Sequence, residues 1–166
     1  PQTVKHMLRL FRQMFDHAID WGYLRVNPAK KVRIPKVPRR EMDFLTPKEV
    51  RLLLECVPQR WYAFFLVAIT TGLRMGELLA MRWAHVAWSE GQYYVKETWL
   101  RPRGGNKAAF AEPKTHSSIA PMDLTPTCLV ALREHRQRQA AEKLEAGGDY
   151  QDNGLIFATA TGTPLD

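Results

Sequence analysis

Residues 68–83 read AITTGLRMGELLAMRW, and two charged residues near the middle stand among apolar and small ones. Gly72 is typical of a helix end, so Arg74 is predicted to lie in the first turn of the next helix. Backbone N–H groups at a helix start face any bound anion, and the Arg74 guanidinium would join them. Glu77 lies three residues on, where it can hold Arg74 in one orientation. The alternative is a surface ion pair without a further role.

Helices are predicted to dominate the rest of the chain, with a small sheet between them. Apolar residues recur at the three-and-four spacing of amphipathic helices, and Thr46 and Thr125 are suitable caps. The predicted helices are 3–23, one that begins at 46, about 60–71, 73–83 and 125–146. Short strands are expected in QYYVKETWL, AAFAEPKT and SSIAPMDL. The predicted fold class is therefore α+β and mainly α-helical, with a small antiparallel three-stranded sheet.

Length and composition indicate one globular domain with room for a small appendage. The chain has 166 residues, of which 45% are hydrophobic and 25% charged. Neither an apolar run of membrane-spanning length nor a signal peptide is present, so we expect a cytoplasmic protein with no membrane partner. Cys56 and Cys128 stand singly, which fits a reducing compartment and does not indicate a metal site.

The formal net charge of +7 favours an anionic partner, and most of it lies in one segment. Residues 30–40 read KKVRIPKVPRR and contain no acid, whereas the remaining 18 basic residues face 17 acidic ones. Prolines within and before this segment disfavour a helix and predict an extended basic linker. Its six cations are candidates for contacts with DNA phosphates: Lys30, Lys31, Arg33, Lys36, Arg39 and Arg40. The alternative is a solvated, disordered spacer.

The opening stretch also resembles a family motif. TTGLRMGELLAMRW is similar to the pattern T-G-x-R-x-x-E-[LI]-x-x-L-x-W of the tyrosine recombinases, or phage integrases, although Met81 replaces the usual Leu. LTPKEVRLLLECV resembles the opening helix of that family's catalytic domain, AEPKTHSSIAPMDL its lysine-bearing hairpin, and GLIFATATGTPLD the segment before its second catalytic cluster. The resemblance implies three parts: the last helix of the core-binding domain (1–26), a basic interdomain linker (27–43) and the N-terminal part of a catalytic domain (44–166).

Membership of that family implies DNA strand breaking and rejoining without a metal or other cofactor. A tyrosine attacks a DNA phosphate to give a 3'-phosphotyrosyl intermediate, and the freed 5'-hydroxyl then attacks a partner strand. By resemblance, Arg74 is the first of two arginines that hold the phosphate, and Glu77 supports it. Lys114 matches the hairpin lysine that protonates the leaving 5'-oxygen, although a hairpin lysine is often only solvated. His116 receives no role.

The family's second catalytic cluster, H-x-x-R followed by a nucleophilic tyrosine, has no match here. HMLR, with His6 and Arg9, and HRQR, with His135 and Arg138, imitate the cluster but precede its expected position. Both are predicted to be solvated helix faces, and Tyr150 also comes too early to be the nucleophile. We therefore expect the catalytic domain to be incomplete at its C-terminus and this chain to be inactive alone.

Two further functions are consistent with the sequence. One is a DNA-binding or regulatory module derived from a recombinase, and the other is a helical protein-interaction domain that never meets nucleic acid. For the recombinase, double-stranded DNA and other recombinase subunits are the expected partners. The apolar stripe of the first helix is predicted to dock on the chain's own catalytic part or on another copy.

Overall fold

The computed structural model describes residues 2–34, 36, 41–101, 109–112 and 121–165. The chain divides into two compact units, Pro1–Phe44 and Leu45–Asp166. Within the described residues, no helix combines the length and the apolar character that crossing a membrane requires.

The first unit consists of helix α1, Gln2–Asp20, and a 3-10 turn, Pro28–Lys31. Asn27 caps the turn, because its side-chain oxygen accepts a hydrogen bond from the Ala29 N–H at 2.9 Å. The Asn27 amide also donates to the main-chain oxygen of Arg12 at 2.8 Å, and Arg12 Nε donates to the Ala29 oxygen at 3.0 Å. The prediction of an extended segment is therefore wrong at 28–31, where side-chain hydrogen bonds hold the turn on α1.

The second unit begins with two helices that carry the predicted end signals. Helix α2, Pro47–Cys56, starts with a capping box in which Thr46 and Glu49 bond each other's backbone N–H groups. Helix α3, Gln59–Thr71, ends at Gly72, whose φ of 65° lies in the left-handed region that favours glycine.

Helix α4, Met75–Leu79, is shorter than predicted. The sequence predicts a helix as far as Trp83, but a 3-10 turn, Trp83–His85, follows α4 after a break. In that break the Met81 oxygen accepts a hydrogen bond from the Ile156 N–H at 2.7 Å. A distant part of the chain thus bonds the backbone where the helix would otherwise continue.

Five short strands form two antiparallel sheets in the described part of the second unit. The strands are β1 (Val86–Ala87), β2 (Gln92–Tyr94), β3 (Thr98–Leu100), β4 (Ala109–Ala111) and β5 (Pro121–Asp123). The predicted three-stranded sheet is confirmed, in the order β1-β2-β5, and β3 pairs separately with β4. The segment QYYVKETWL therefore contains two strands of different sheets rather than one.

Helix α5, Pro126–Ala146, packs against α3 and completes the core. Thr125 caps its start by accepting a hydrogen bond from the Cys128 N–H at 3.2 Å. The largest fully buried side chains of this unit come from α3, α4, the break after α4, α5, β2 and the 155–157 segment: Tyr93, Phe157, Leu78, Met81, Leu132, Ile156, Val67 and Cys128. Because this core surrounds the end of α4, it fixes the helix that carries Glu77.

Candidate active site

Arg74 and Glu77 form a two-point contact at the start of α4. Glu77 Oε1 accepts a hydrogen bond from Arg74 Nη1 at 3.0 Å, and Oε2 accepts one from the Arg74 backbone N–H at 3.0 Å. The Glu77 side chain is only 11% exposed, whereas that of Arg74 is 79% exposed. The carboxylate is thus held by the fold, and the guanidinium projects outward from it.

The helix start differs in one respect from the sequence prediction. Arg74 is the residue before the helix rather than part of its first turn, and α4 has only five residues. So short a helix aligns few peptide dipoles, so an anion at this point would depend mainly on the guanidinium. Among the described residues, the Arg74 guanidinium donates a hydrogen bond only to Glu77, which leaves its other N–H groups for a ligand.

Gly76 brings α4 into direct contact with β3. A Cβ atom at this position would lie 2.6 Å from Thr98 Oγ1 and 2.8 Å from the main-chain oxygen of Trp99. Such distances are shorter than packed atoms allow, so only glycine permits this approach. The helix that carries Glu77 and the β3–β4 pair therefore form one packed group.

Arg82, a residue that sequence analysis did not identify, makes several contacts in this region. Its Nε donates to Glu97 Oε2 at 2.8 Å, and its Nη1 donates to the Asn153 main-chain oxygen. The guanidinium also lies 4.7 Å from the centre of the Phe110 ring on β4. The family motif leaves the position before Trp83 unspecified, and the partners of Arg82 are distant in sequence, so no local signal marked it.

Several predicted site residues lie outside the described residues. They belong to the lysine-bearing segment and to the end of the basic linker: Lys114, His116, Arg39 and Arg40. Of the three residues predicted for the active site, Arg74 and Glu77 are described, and they are in contact with each other.

The described linker cations belong to the first unit, and one of them is paired. Lys30 Nζ lies 3.0 Å from Asp16 Oδ1, and Lys30, Lys31, Arg33 and Lys36 are all exposed. Hydrogen bonds from Asn27 and then from Lys30 lower the pKa of the Asp16 carboxyl. Lys30 must therefore exchange a carboxylate for a phosphate if it contacts DNA.

The two imitations of the missing cluster differ in environment. His6 and Arg9 are exposed on α1, as predicted. His135 is not a solvated residue, because its Nε2–H donates to the Ile156 oxygen at 2.7 Å and its ring lies 5.4 Å from that of Phe157. The prediction is wrong here because α5 is covered by the 155–157 segment. The pKa of the His135 imidazole is lowered, mainly because the ring is largely buried.

Tyr150 takes part in packing around the end of α5. Lys143 Nζ lies 5.6 Å from the centre of its ring, and a Cβ atom at Gly162 would lie 2.8 Å from its Cε1. Burial raises the pKa of the Tyr150 hydroxyl. Tyr150 therefore takes part in packing here, and its exclusion as the nucleophile stays a prediction.

Comparison with known proteins gives a consistent set of relatives. No protein-family model matches the chain. A protein named tyrosine recombinase XerC-like from Caldanaerobacter subterraneus subsp. tengcongensis is 32% identical over 182 residues, covering 99% of this chain and 46% of the relative. The ICEBs1 integrase of Bacillus subtilis is 27% identical over 94% of this chain and 43% of its own length. This chain therefore spans less than half of these curated relatives.

Solved structures show the same fold. The Tn1549 transposon integrase, in complex with transposon right end DNA, matches 99% of this chain and 53% of its own with a TM-score of 0.74 and 21% identity. A lambda integrase dimer bound to a COC' core site matches 98% of this chain and 40% of its own, with a TM-score of 0.59 and 21% identity.

Proposed function

The chain belongs to the tyrosine recombinase, or phage integrase, family, and we propose that it supplies the first half of an active site for DNA strand breaking and rejoining. The observation that carries this proposal is the contact between Arg74 and Glu77. An exposed guanidinium anchored by a nearly buried carboxylate is suited to holding a phosphate in one orientation. The complete reaction would belong to a longer protein of which these residues are a part.

Arg74 would act on the non-bridging oxygens of the scissile phosphate. In the proposed reaction a tyrosine oxygen from outside this chain attacks phosphorus, and the bond from phosphorus to the 5'-oxygen breaks. Negative charge grows on the phosphoryl oxygens during this step, so a fixed guanidinium stabilises the transition state more than the ground state. Glu77 keeps the guanidinium in place, which avoids the entropy cost of ordering a free side chain at each turnover.

Lys114 is proposed to protonate the leaving 5'-oxygen. This role comes from the family resemblance, and the packing of α4 on β3 supports it. Strand β4 pairs with β3 and ends at Ala111, three residues before Lys114 in the sequence. The phosphotyrosyl bond would retain the reactivity of the phosphodiester, so the proposed reaction requires no cofactor.

DNA binding by the chain itself tests the role of Arg74. We expect Arg74→Ala to weaken binding to a short duplex and to reduce the magnitude of the log-log salt slope by about 0.9, the value for one lost phosphate contact. Arg74→Lys should retain the slope and lose affinity, because an ammonium cannot make the bidentate contact. Arg51→Ala, at an exposed position of α2, is the matched control.

Fluorescence anisotropy titrations at several salt concentrations also separate the alternative functions. Salt-dependent binding that Arg74→Ala leaves unchanged would favour a DNA-binding or regulatory module without a strand-transfer site. A chain with no affinity for duplex DNA would favour the protein-interaction domain.

We further propose that this chain alone forms no covalent bond with DNA, since none of its tyrosines matches the family's nucleophile. Incubation with a nicked duplex that traps covalent adducts should give no adduct on a denaturing gel. A phosphotyrosyl product from the purified chain would contradict this proposal.

A further inference from the structure

We infer that Arg82 is a positioning residue, which holds the β3–β4 pair on α4 through contacts with three separate segments of the chain. This inference rests on the proposed function, because it gives Arg82 a task in aligning the two parts of the same active site. Arg82 lies three residues after Leu79, the last residue of α4, so it is well placed to couple the helix to the strands.

The contacts of Arg82 each come from a different direction. Glu97 lies in the connection between β2 and β3, Phe110 lies on β4, and Asn153 lies in the segment after α5. The guanidinium uses its N–H edge for two of these contacts and its flat face for the third. The arginine guanidinium combines several planar donors with a face that stacks on aromatic rings, whereas the lysine ammonium is a point charge and could not reproduce this set.

The contact with Phe110 extends to both strands of the pair. Phe110 is the register partner of Trp99, and their ring centres are 4.7 Å apart. Arg82 therefore contacts β4 directly, through Phe110, and is linked to β3 through the contact between Phe110 and Trp99. The ion pair with Glu97 restrains the chain just before β3 begins.

The β3–β4 pair is thus attached at two points of the α4 region. One is the close approach of Gly76 to Thr98 and Trp99, near the start of the helix, and the other is Arg82, after its end. Two separated attachments suppress both sliding and rotation of the strands relative to the helix. A single attachment would leave rotation unrestrained.

The burial of this ion pair also supports a geometric role. The side chains of Arg82 and Glu97 are 23% and 31% exposed, so both are partly desolvated. Ion pairs in such places are often no more stabilising than an apolar pair of similar size, whereas their directional bonds do specify an arrangement. Arg82 is accordingly expected to affect where the strands lie more than whether the core folds.

Nuclear magnetic resonance of the 15N-labelled chain can test this inference without DNA. The indole N–H of Trp99 is buried without a hydrogen-bond partner among the described residues, and Gly76 packs against β3, so the indole resonance and the Gly76 amide resonance should both report the position of the strand. We expect Arg82→Lys and Arg82→Gln to shift both resonances. Arg51→Lys makes the same chemical change at an exposed site and should leave both unchanged.

Hydrogen exchange supplies the second measurement. In Arg82→Lys we expect the amides of β3 and β4 to exchange about tenfold faster, while interior amides of α3 and α5 stay within about twofold of the parent chain. Glu97→Gln retains the guanidinium and its stacking, so it should give a smaller change at the same amides. It also serves as the test if the Arg82 variants do not fold.

The inference is overturned if the Trp99 and Gly76 resonances stay in place, or if exchange accelerates equally throughout the second unit. The latter result would show that Arg82 contributes only to global stability. A separate result would contradict the proposed function: Arg74→Ala would bind DNA as tightly as the parent chain and with the same salt dependence. The two failures are therefore distinguishable.

Discussion

Trp83 donates its indole N–H to the side-chain oxygen of Gln139 at 2.7 Å, so the last residue of the family motif is bonded to α5. The Gln139 amide donates in turn to the main-chain oxygens of Leu155 and Ile156 at 3.0 and 3.1 Å. One side chain thus joins the motif, the long helix and the 155–157 segment.

Replacing Gln139 should therefore destabilise the second unit. Gln139→Met keeps the approximate size of the side chain and leaves the half-buried Trp83 N–H without its acceptor, which costs about 1 kcal/mol. Urea unfolding followed by circular dichroism measures the change. Gln137→Met, at an exposed position of the same helix, should have little effect. Equal stabilities of the two variants would contradict the bridging role.

His135 should make the protein less stable as the pH falls. Burial is the largest influence and lowers the folded-state pKa of His135, as do the charges of Arg138 and Arg60. The hydrogen bond to Ile156 and the charge of Glu142 raise it by less, so this pKa lies below the ordinary value of 6.5. The unfolded chain therefore takes up this proton first, so stability is full above about pH 6.5 and is lost as the pH falls towards the folded-state pKa.

His135→Gln should flatten this dependence in urea unfolding between pH 7.5 and pH 5, because glutamine does not titrate and can still donate to Ile156. Exposed His6 is the control position, and His6→Gln should keep the parent's dependence. An unchanged profile for His135→Gln would show that other groups cause the loss at low pH.

Gly76→Ala should displace β3 from α4 or lower stability. The added methyl group would lie 2.8 Å from the main-chain oxygen of Trp99, an atom that moves only with the strand. Overpacking of this kind typically costs about 1–3 kcal/mol. Gly148→Ala is a matched control, because a Cβ atom there would meet nothing within 4 Å. Thermal unfolding of both variants measures the difference, and a stable Gly76→Ala variant with an unshifted Trp99 resonance would refute the close approach.

The basic linker should contribute strongly to the salt dependence of DNA binding. If all six cations reach phosphates, the slope of log affinity against log salt has a magnitude of about 5 from this segment alone. Replacing Lys30, Lys31, Arg33, Lys36, Arg39 and Arg40 with Ser should flatten the slope accordingly. Asp16→Asn releases Lys30 from its carboxylate and should strengthen binding slightly. A slope that the six replacements leave unchanged would exclude the linker as a DNA contact.

The apolar stripe of α1 is proposed to associate with another copy of the chain. Exposed fractions of its side chains reach 57% at Met7, 59% at Leu10 and 54% at Met14. We expect sedimentation to show concentration-dependent dimers, and Leu10→Glu to shift the protein towards monomer. Leu144→Glu changes an exposed leucine of α5 in the same way and should not affect association. A monomeric parent chain at all concentrations would contradict the proposal.

Sequence reasoning succeeded where the determining interactions are local. Thr46 and Glu49 lie three residues apart, as do Arg74 and Glu77, so their spacing predicted both contacts. It failed where the partner is distant in sequence. The burial of His135 depends on a contact with the 155–157 segment, and the contacts of Arg82 with Glu97 and Asn153 leave no periodic or motif signal.

The hydrogen bond from the Ile156 N–H to the Met81 oxygen also has a consequence for the order of folding. Contacts of low sequence separation, such as that between Arg74 and Glu77, can form as soon as their own segment leaves the ribosome. The end of α4 acquires its final partner only after residue 156 has been synthesised. Arg74, the proposed phosphate ligand, is thus expected to be oriented early, while the end of α4 is set late.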